Sequence, residues 1–249
     1  MSADAADHGR TALVTGAGSG IGAAIVRALA GGGWRIVLCG RSRARLDAVA
    51  ATLAVPTHVL PVDLTDAAAV ATLPGALPAA FRPLSLLVNC AGHDVGGRRA
   101  FEDAAAEAWA GILEANLVGL VRLTHALVAD MIGGGGGDIV NIGSLSALRP
   151  APRMAAYVAS KAGVHAFSDV LRADLDRHGI RVIEVMPGLT RTDFAQTRLH
   201  GDAESARQFY DRAPATLTAD DVAQAVIYAI GQPRHVVIAQ LVLMPSGQW

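Results

Sequence analysis

Thr15-Gly16-Ala17-Gly18-Ser19-Gly20-Ile21-Gly22, followed at once by AAIVRALA at 23–30, closes an apolar run that begins at Thr11. The order is strand, glycine-rich turn, helix. Glycines at such a turn let the backbone bend tightly and approach a pyrophosphate, while the helix behind it presents unsatisfied N–H groups and the positive end of its dipole. Taken alone, glycines also end strands for steric reasons. Their place directly after the first strand and at the opening of a helix is what points to a dinucleotide. Gly16, Gly18, Ser19, Gly20, Ile21 and Gly22 are then the residues expected at the phosphates.

The same alternation runs on through the chain. Strands are expected over 11–15, 35–39, 57–62, 84–90, 138–143, 180–186 and 235–243, with helices over 20–31, 42–53, 66–73, 107–131, 154–178 and 219–230. Strands separated by helices imply parallel pairing through right-handed crossovers. The expected fold is therefore a single α/β domain over 1–249, a doubly wound seven-stranded parallel sheet with helices on both faces. Gly133–Gly137 reads as a turn, not a domain boundary. The stretch 190–218 is polar and without an expected strand; it follows a strand end, where open α/β sheets place their ligands, and is expected to form a substrate lobe.

Composition narrows the function classes. The chain has 249 residues, 52% apolar and 17% charged, enough for a full core and unlike a disordered segment. Twenty-one basic against 22 acidic side chains leave no positive excess for a phosphate backbone, so nucleic acid is not an expected partner. The opening MSADAADHGR is polar and acidic where a signal peptide would be basic and then apolar. No uninterrupted apolar run reaches the roughly 18–20 residues of a membrane span, and a soluble, cytoplasmic protein is expected. The eight histidines are scattered, so no metal site is expected. A GxSxG elbow is missing, and the only lysine follows a serine, which excludes a GK[ST] phosphate loop.

That lysine is informative. Twenty of the 21 basic residues are arginine and the exception is Lys161. Lysine is a compact point charge where arginine is a planar fork, so its survival marks a position worth inspecting. Asparagine is nearly as scarce, at Asn89, Asn116 and Asn141.

The second strand decides the expected cofactor. An NAD-binding unit offers a carboxylate to the adenosine ribose about twenty residues after the glycine turn. Here Ile36–Cys39 leads into Gly40-Arg41-Ser42-Arg43, with glycine where that carboxylate would stand. Arg41 and Ser42 supply a cation and a donor for a 2′-phosphate, and Arg43 a second charge. NADP(H) is expected, with NAD as the alternative. Cys39 and Cys90 end strands on opposite sides of the first strand, about 9–10 Å apart, beyond the roughly 7 Å limit for a disulfide.

Tyr157 and Lys161 share one face of a helix at i, i+4 spacing. An ammonium about 5 Å from the phenol favours the phenolate by roughly 3 kcal/mol, or about 2 pKa units, which moves it towards acid–base work. Ser144 ends a strand 13 residues earlier, where its hydroxyl could bind a substrate oxygen.

Together these residues resemble the short-chain dehydrogenase/reductase family, over essentially the whole chain. Thr15–Gly22 is similar to its TGxxxGxG turn, Asn89-Cys90-Ala91-Gly92 to its NNAG segment with a cysteine substituted, and Pro187-Gly188-Leu189-Thr190-Arg191-Thr192 to its PG motif. The resemblance implies a Rossmann fold and a tetrad in which Tyr157 is the acid–base, Ser144 orients the carbonyl, Lys161 binds the nicotinamide ribose and Asn116 holds a relay water. It also implies cofactor contacts at Asp63, Leu64, Asn89, Ala91, Gly92, Tyr157, Lys161, Pro187, Gly188, Thr190 and Thr192. A homotetramer or dimer is the usual state of the family. The tail Val236–Ala239 and Leu241–Met244 suits such an interface, and equally a buried last strand.

For the substrate, Thr192-Asp193-Phe194 and Arg198-Leu199-His200-Gly201-Asp202 resemble the NADP-dependent 3-hydroxy-acid, serine-type dehydrogenases. A carboxylate would want an arginine. Arg149, Arg153, Arg191 and Arg198 are candidates, with Arg198 favoured by the resemblance, and His93 is expected either to line the substrate pocket or to cap a turn. Phe194, Phe209 and Tyr210 suit an uncharged carbonyl instead, so a broad-range aldehyde or ketone reductase stays open. A dinucleotide-binding redox sensor without turnover is the further alternative, set against the presence of all four tetrad members.

Overall fold

A computed structural model describes residues 9–248. The opening octapeptide, on which most of the leader argument rests, lies outside the described residues. Seven strands form one parallel sheet: β1 (Thr11–Thr15), β2 (Arg35–Gly40), β3 (Thr57–Pro61), β4 (Leu86–Asn89), β5 (Gly137–Ile142), β6 (Ile180–Pro187) and β9 (Gln240–Leu243). Their order is β3-β2-β1-β4-β5-β6-β9. The order reverses between β1 and β4, and that crevice at the strand carboxyl ends is where such sheets take ligands. It also puts Cys39 and Cys90 on opposite sides of β1 as free thiols, each pushed up to about 12 by burial.

Helices cover both faces. On one side α1 (Gly20–Gly31) and α9 (Ala219–Ile230) bury Ile25, Leu29, Val222 and Val226 against Val14, Leu38, Val88 and Val140. On the other, α3 (Ala67–Ala76), α5 (Gly119–Gly133) and α6 (Ala155–Leu175) pack Leu73, Leu123, Leu127 and Leu175 against Leu13, Val37, Leu87 and Ile139. Neighbouring strand residues point to opposite layers, so strands buried on both faces read as continuous apolar runs. In the glycine turn before β5, Cβ atoms at Gly136 and Gly137 would collide with the carbonyl oxygens of Gly179 and Ser85.

Several expected elements differ in their extent. The fourth strand is shorter than 84–90 because the Leu84 N–H donates to Asp130 (3.1 Å) and the Cys90 N–H to the Thr15 hydroxyl (2.9 Å). The last strand covers only 240–243: the carbonyls of Val236 and Ala239 accept from Arg181 and Arg172. It is a half-exposed edge strand and not a buried one. The helix expected over 107–131 is α4 (Ala106–Leu113), a π turn at Glu114–Val118, and then α5. By length and composition alone 106–133 is apolar enough to cross a bilayer, against expectation; in the fold it is interrupted by that π turn, and its apolar face is part of the core. The lobe 190–218 does contain strands. It holds β7 (Thr190–Arg191) paired with β8 (Leu217–Thr218), and between them α7 (Phe194–Arg198) and α8 (Ala203–Asp211). Helix α2 (Arg43–Ala50) completes the set, with Ser42 as its cap.

Candidate active site

At the carboxyl end of β1 the turn has no room for side chains. Gly16 and Gly20 have φ of +66° and +49°, and a Cβ at Gly22 would collide with the Gly16 carbonyl oxygen. Ser19 caps α1 without spending its hydroxyl on the helix, and the first turn carries no acidic residue. Free N–H groups and an uncompensated dipole therefore face the crevice, a cradle that fits a pyrophosphate. The sequence reading gave Thr15 no separate role. Its Oγ accepts from the N–H groups of Cys90 (2.9 Å) and Ala91 (3.0 Å), tying the β1 and β4 ends together. Gly92 leads on from there, and a Cβ on it would press on the Asn116 carboxamide, 3.0 Å away.

On the side of β2 and β3, Arg41 is exposed and Ser42 Oγ accepts from the Arg45 N–H at 3.4 Å. Arg43, expected as a second phosphate charge, instead pairs with Asp47 at 3.2 Å. Arg45 stands nearer the cradle, its Cβ beside Gly18. Asp63 binds the N–H and hydroxyl of Thr65 at 3.0 and 2.8 Å; these bonds, with Arg41 and His93 nearby, hold its carboxyl below the usual range. Leu64 is buried against Gly119.

Two expected contacts are redirected. Of its two expected roles His93 takes the turn: its Nδ1 accepts the Val95 N–H at 3.3 Å, it is absent from the cavity lining, and burial followed by Arg41 pushes its pKa down. The Asn89 carboxamide points away from the crevice and donates to Thr124 (3.0 Å) and Asn141 (2.9 Å) in the core.

Beyond β5 the tetrad comes together. Ser144 follows β5; its Oγ accepts the Ser146 N–H at 3.1 Å, and its hydroxyl faces Tyr157. Tyr157 and Lys161 lie one turn apart on α6, both buried. Lys161 Nζ donates to the Ile142 carbonyl at 2.8 Å, which leaves two of its three donors for a ligand. Asn116 sits in the π turn; its carboxamide is closed by the His93 backbone (2.8 and 2.9 Å) and Ser160 (3.1 Å), so its side chain positions the loop beside Lys161.

The expected electrostatics need correcting. Lys161 is not among the groups that shift Tyr157. Burial raises the tyrosine pKa, opposed by a hydrogen bond from Ser144 and the charge of Arg198, with Asp94 acting against them. The i, i+4 spacing suggests a partly solvated pair; both side chains are instead buried, which raises the tyrosine and lowers Lys161 itself to about 8. A carboxylate that the sequence reading overlooked lies behind it. Glu184 on β6 is fully buried and bonds His165 at 2.7 Å, and its other oxygen has no partner among the described residues.

The lobe roofs the crevice. Thr192 reaches Gly20 across the cleft, while its backbone exchanges hydrogen bonds with the Tyr210 hydroxyl (3.3 and 3.1 Å). Pro187, Gly188 and Thr190 line the same cavity, of about 340 Å³. Arg191 turns outward to Asp211 (3.0 Å), and Arg153 is exposed and off the cavity lining. Arg198 lines the cavity as expected, but its Nε donates to Asp94 at 2.8 Å, and both are buried. Its charge is therefore largely answered by the protein.

This geometry has close relatives. The chain matches the short chain dehydrogenase family over residues 10–203. A sulfoacetaldehyde reductase of Chromohalobacter salexigens is 38% identical, covering 95% of this chain and 94% of that protein. The chain belongs to the short-chain dehydrogenase family. A serine 3-dehydrogenase of Agrobacterium fabrum is 36% identical over 96% of this short-chain dehydrogenase and 94% of its own length. The closed form of a serine dehydrogenase complexed with NADP+ superposes with a TM-score of 0.91 at 34% identity, covering 96% of each chain.

Proposed function

We propose that this short-chain dehydrogenase interconverts a short anionic carbonyl compound, such as a 3-oxo acid or sulfoacetaldehyde, and the corresponding alcohol, with NADP(H) as cofactor. The observation that carries this is the convergence of Ser144, Tyr157 and Lys161 on one wall of a cavity whose other wall is the glycine turn. Arg98, Arg149 and Arg198 line the same cavity with Asp193 as the acid among them, and that balance suits an anion.

When bound, NADPH supplies the hydride. Ser144 hydrogen-bonds the substrate oxygen through its hydroxyl, keeping its own proton, and fixes the carbonyl beside Tyr157. Tyr157 gives its phenolic proton to that oxygen as charge develops, the step for which burial keeps it protonated at neutral pH. Lys161, anchored on Ile142, holds the ribose through its remaining donors. The phosphates rest on Gly16, Gly18, Ser19, Gly20, Ile21 and Gly22, the 2′-phosphate on Arg41 and Ser42, and the adenine beside Asp63 and Leu64. Ala91, Gly92, Pro187, Gly188, Thr190 and Thr192 frame the nicotinamide side. The protein acts as a cytoplasmic homo-oligomer, a tetramer or dimer; exposed Tyr228 on α9 and Val242 on β9 support an apolar interface there.

A second reading, an uncharged-ketone reductase, is favoured by the aromatic wall of Phe194, Phe209 and Tyr210. Loss of NADPH absorbance with malonate semialdehyde, sulfoacetaldehyde and an aromatic ketone separates the two. Turnover of the acids is expected; turnover of the ketone alone supports the second reading, and no turnover of any carbonyl refutes both.

A further inference from the structure

Two arginines that line the cavity, Arg98 and Arg198, have one buried carboxylate behind them, Asp94. Asp94 is 1% exposed and accepts from Arg198 Nε at 2.8 Å. Its second oxygen is buried without a partner among the described residues and fills the space a Cβ at Gly97 would need. Asp94 and Arg198 therefore answer each other as a buried ion pair. Removing either partner would leave an uncompensated buried charge.

Arg98 is the cation left over. It lines the cavity and lies over the Phe209 ring at 4.9 Å, on the ring that Arg198 also approaches, at 5.7 Å. Among the described residues its guanidinium has neither a hydrogen-bond acceptor nor an ion-pair partner; Asp94 and Arg198 are the charges that act on it. Its backbone is also held against its preference, with φ of +62°. A non-glycine residue keeps such a conformation only where its surroundings fix it, and positions of this kind gather at ligand clamps. Here the fixing is visible. The Gly96 N–H donates to the Arg198 carbonyl and the Gly97 N–H to that of Asp94, both at 3.0 Å, and Arg99 reaches His200 at 3.1 Å. The loop is pinned to α7, and the pinned loop presents one unanswered guanidinium to the cavity.

We propose that Arg98 is the oxoanion subsite of this enzyme, binding the carboxylate or sulfonate of the substrate, and that the Asp94–Arg198 pair is the scaffold that positions it. This deepens the function proposed above and rests on it for the reacting carbonyl. Five planar donors fit either oxoanion in bidentate fashion. Arg198, the candidate favoured by the sequence, keeps its buried partner and shapes the wall beside Tyr157.

The test compares wild type with Arg98→Gln and Arg98→Lys on malonate semialdehyde, sulfoacetaldehyde and uncharged propanal. Malonate binding to the NADP+-loaded protein is measured alongside as a probe that needs no turnover. For Arg98→Gln, KM for both acids is expected to rise about ten- to a hundredfold, the loss of one charged hydrogen-bonding partner. Propanal kinetics and NADPH affinity stay within about twofold, malonate binding weakens in parallel with KM, and Arg98→Lys recovers part of the loss. Unchanged KM for both acids, or equal losses on acids and propanal, would overturn the subsite. A wild type that prefers propanal overturns it too, while the reductase function stands. If no aldehyde turns over, the proposed function fails, and malonate binding with and without Arg98 still decides the subsite.

Discussion

Lys161 is charged only over part of the accessible pH range, and that has a measurable consequence. Burial moves its ammonium from 10.5 to about 8, and Glu184 is among the groups pulling it back up. The displacement corresponds to roughly 3 kcal/mol against the charged form. About nine-tenths of the side chain is ammonium at pH 7 and about one-tenth at pH 9. A lysine is charged below its pKa, so a step that needs the ammonium is intact at low pH and fails as pH rises. kcat/KM for carbonyl reduction reports the free enzyme and is expected to fall about tenfold per pH unit above pH ~8. Steady-state rates of NADPH loss from about pH 6 to 10, at constant ionic strength, measure the limb. Glu184→Gln removes a neighbouring carboxylate without changing shape, so its limb moves to lower pH. A profile flat to pH ~10, the range of an ordinary lysine, or a limb that Glu184→Gln leaves in place, would refute the reasoning.

Other expectations are as direct. Arg41→Ala weakens NADPH binding by roughly 1.5–3 kcal/mol, the worth of a charged hydrogen bond, and leaves NADH binding unchanged in calorimetric titration. Gly22→Ala forces a Cβ into the Gly16 carbonyl and abolishes binding of both cofactors, read by nicotinamide fluorescence. Arg181→Met strips Asp138 of two hydrogen bonds (2.7 and 2.8 Å), leaving it only Arg234 (2.8 Å), and takes that donor from the carbonyls of Ile230, Gln232 and Val236, so urea unfolding shifts by roughly 1.5–3 kcal/mol.

The sheet was legible because strands buried on both faces announce themselves as apolar runs, and because the glycine turn has one structural meaning in its place after β1. The grouping of Ser144 with Tyr157 and Lys161 on one cavity wall was legible for a similar reason: i, i+4 spacing on α6 and a serine at the β5 end are local facts. What escaped the sequence depends on contacts far apart in the chain. Nothing local foretells that Asp94 meets Arg198 across 104 residues, or that Glu184 backs Lys161 from the neighbouring strand. The π turn at Glu114–Val118 escaped because its helix keeps the apolar pattern on both sides. His93 stayed open between pocket and turn because adjacency to Gly92 says nothing of the direction its ring takes; the Val95 N–H claims its Nδ1. The lysine, by contrast, was singled out by composition and is buried beside Tyr157.

Hydride delivery coupled to a proton from Tyr157 is the central claim, and isotope transfer tests it most directly. NADPH deuterated at its transferable position is incubated with malonate semialdehyde, and the alcohol product is weighed by mass spectrometry. Wild type is expected to give product one mass unit heavier at carbon, and Tyr157→Phe, which binds NADPH normally, to give almost none. Labelled product formed by Tyr157→Phe at more than about a tenth of the wild-type rate would contradict the proton-donor role, since such groups contribute at least about 10²-fold.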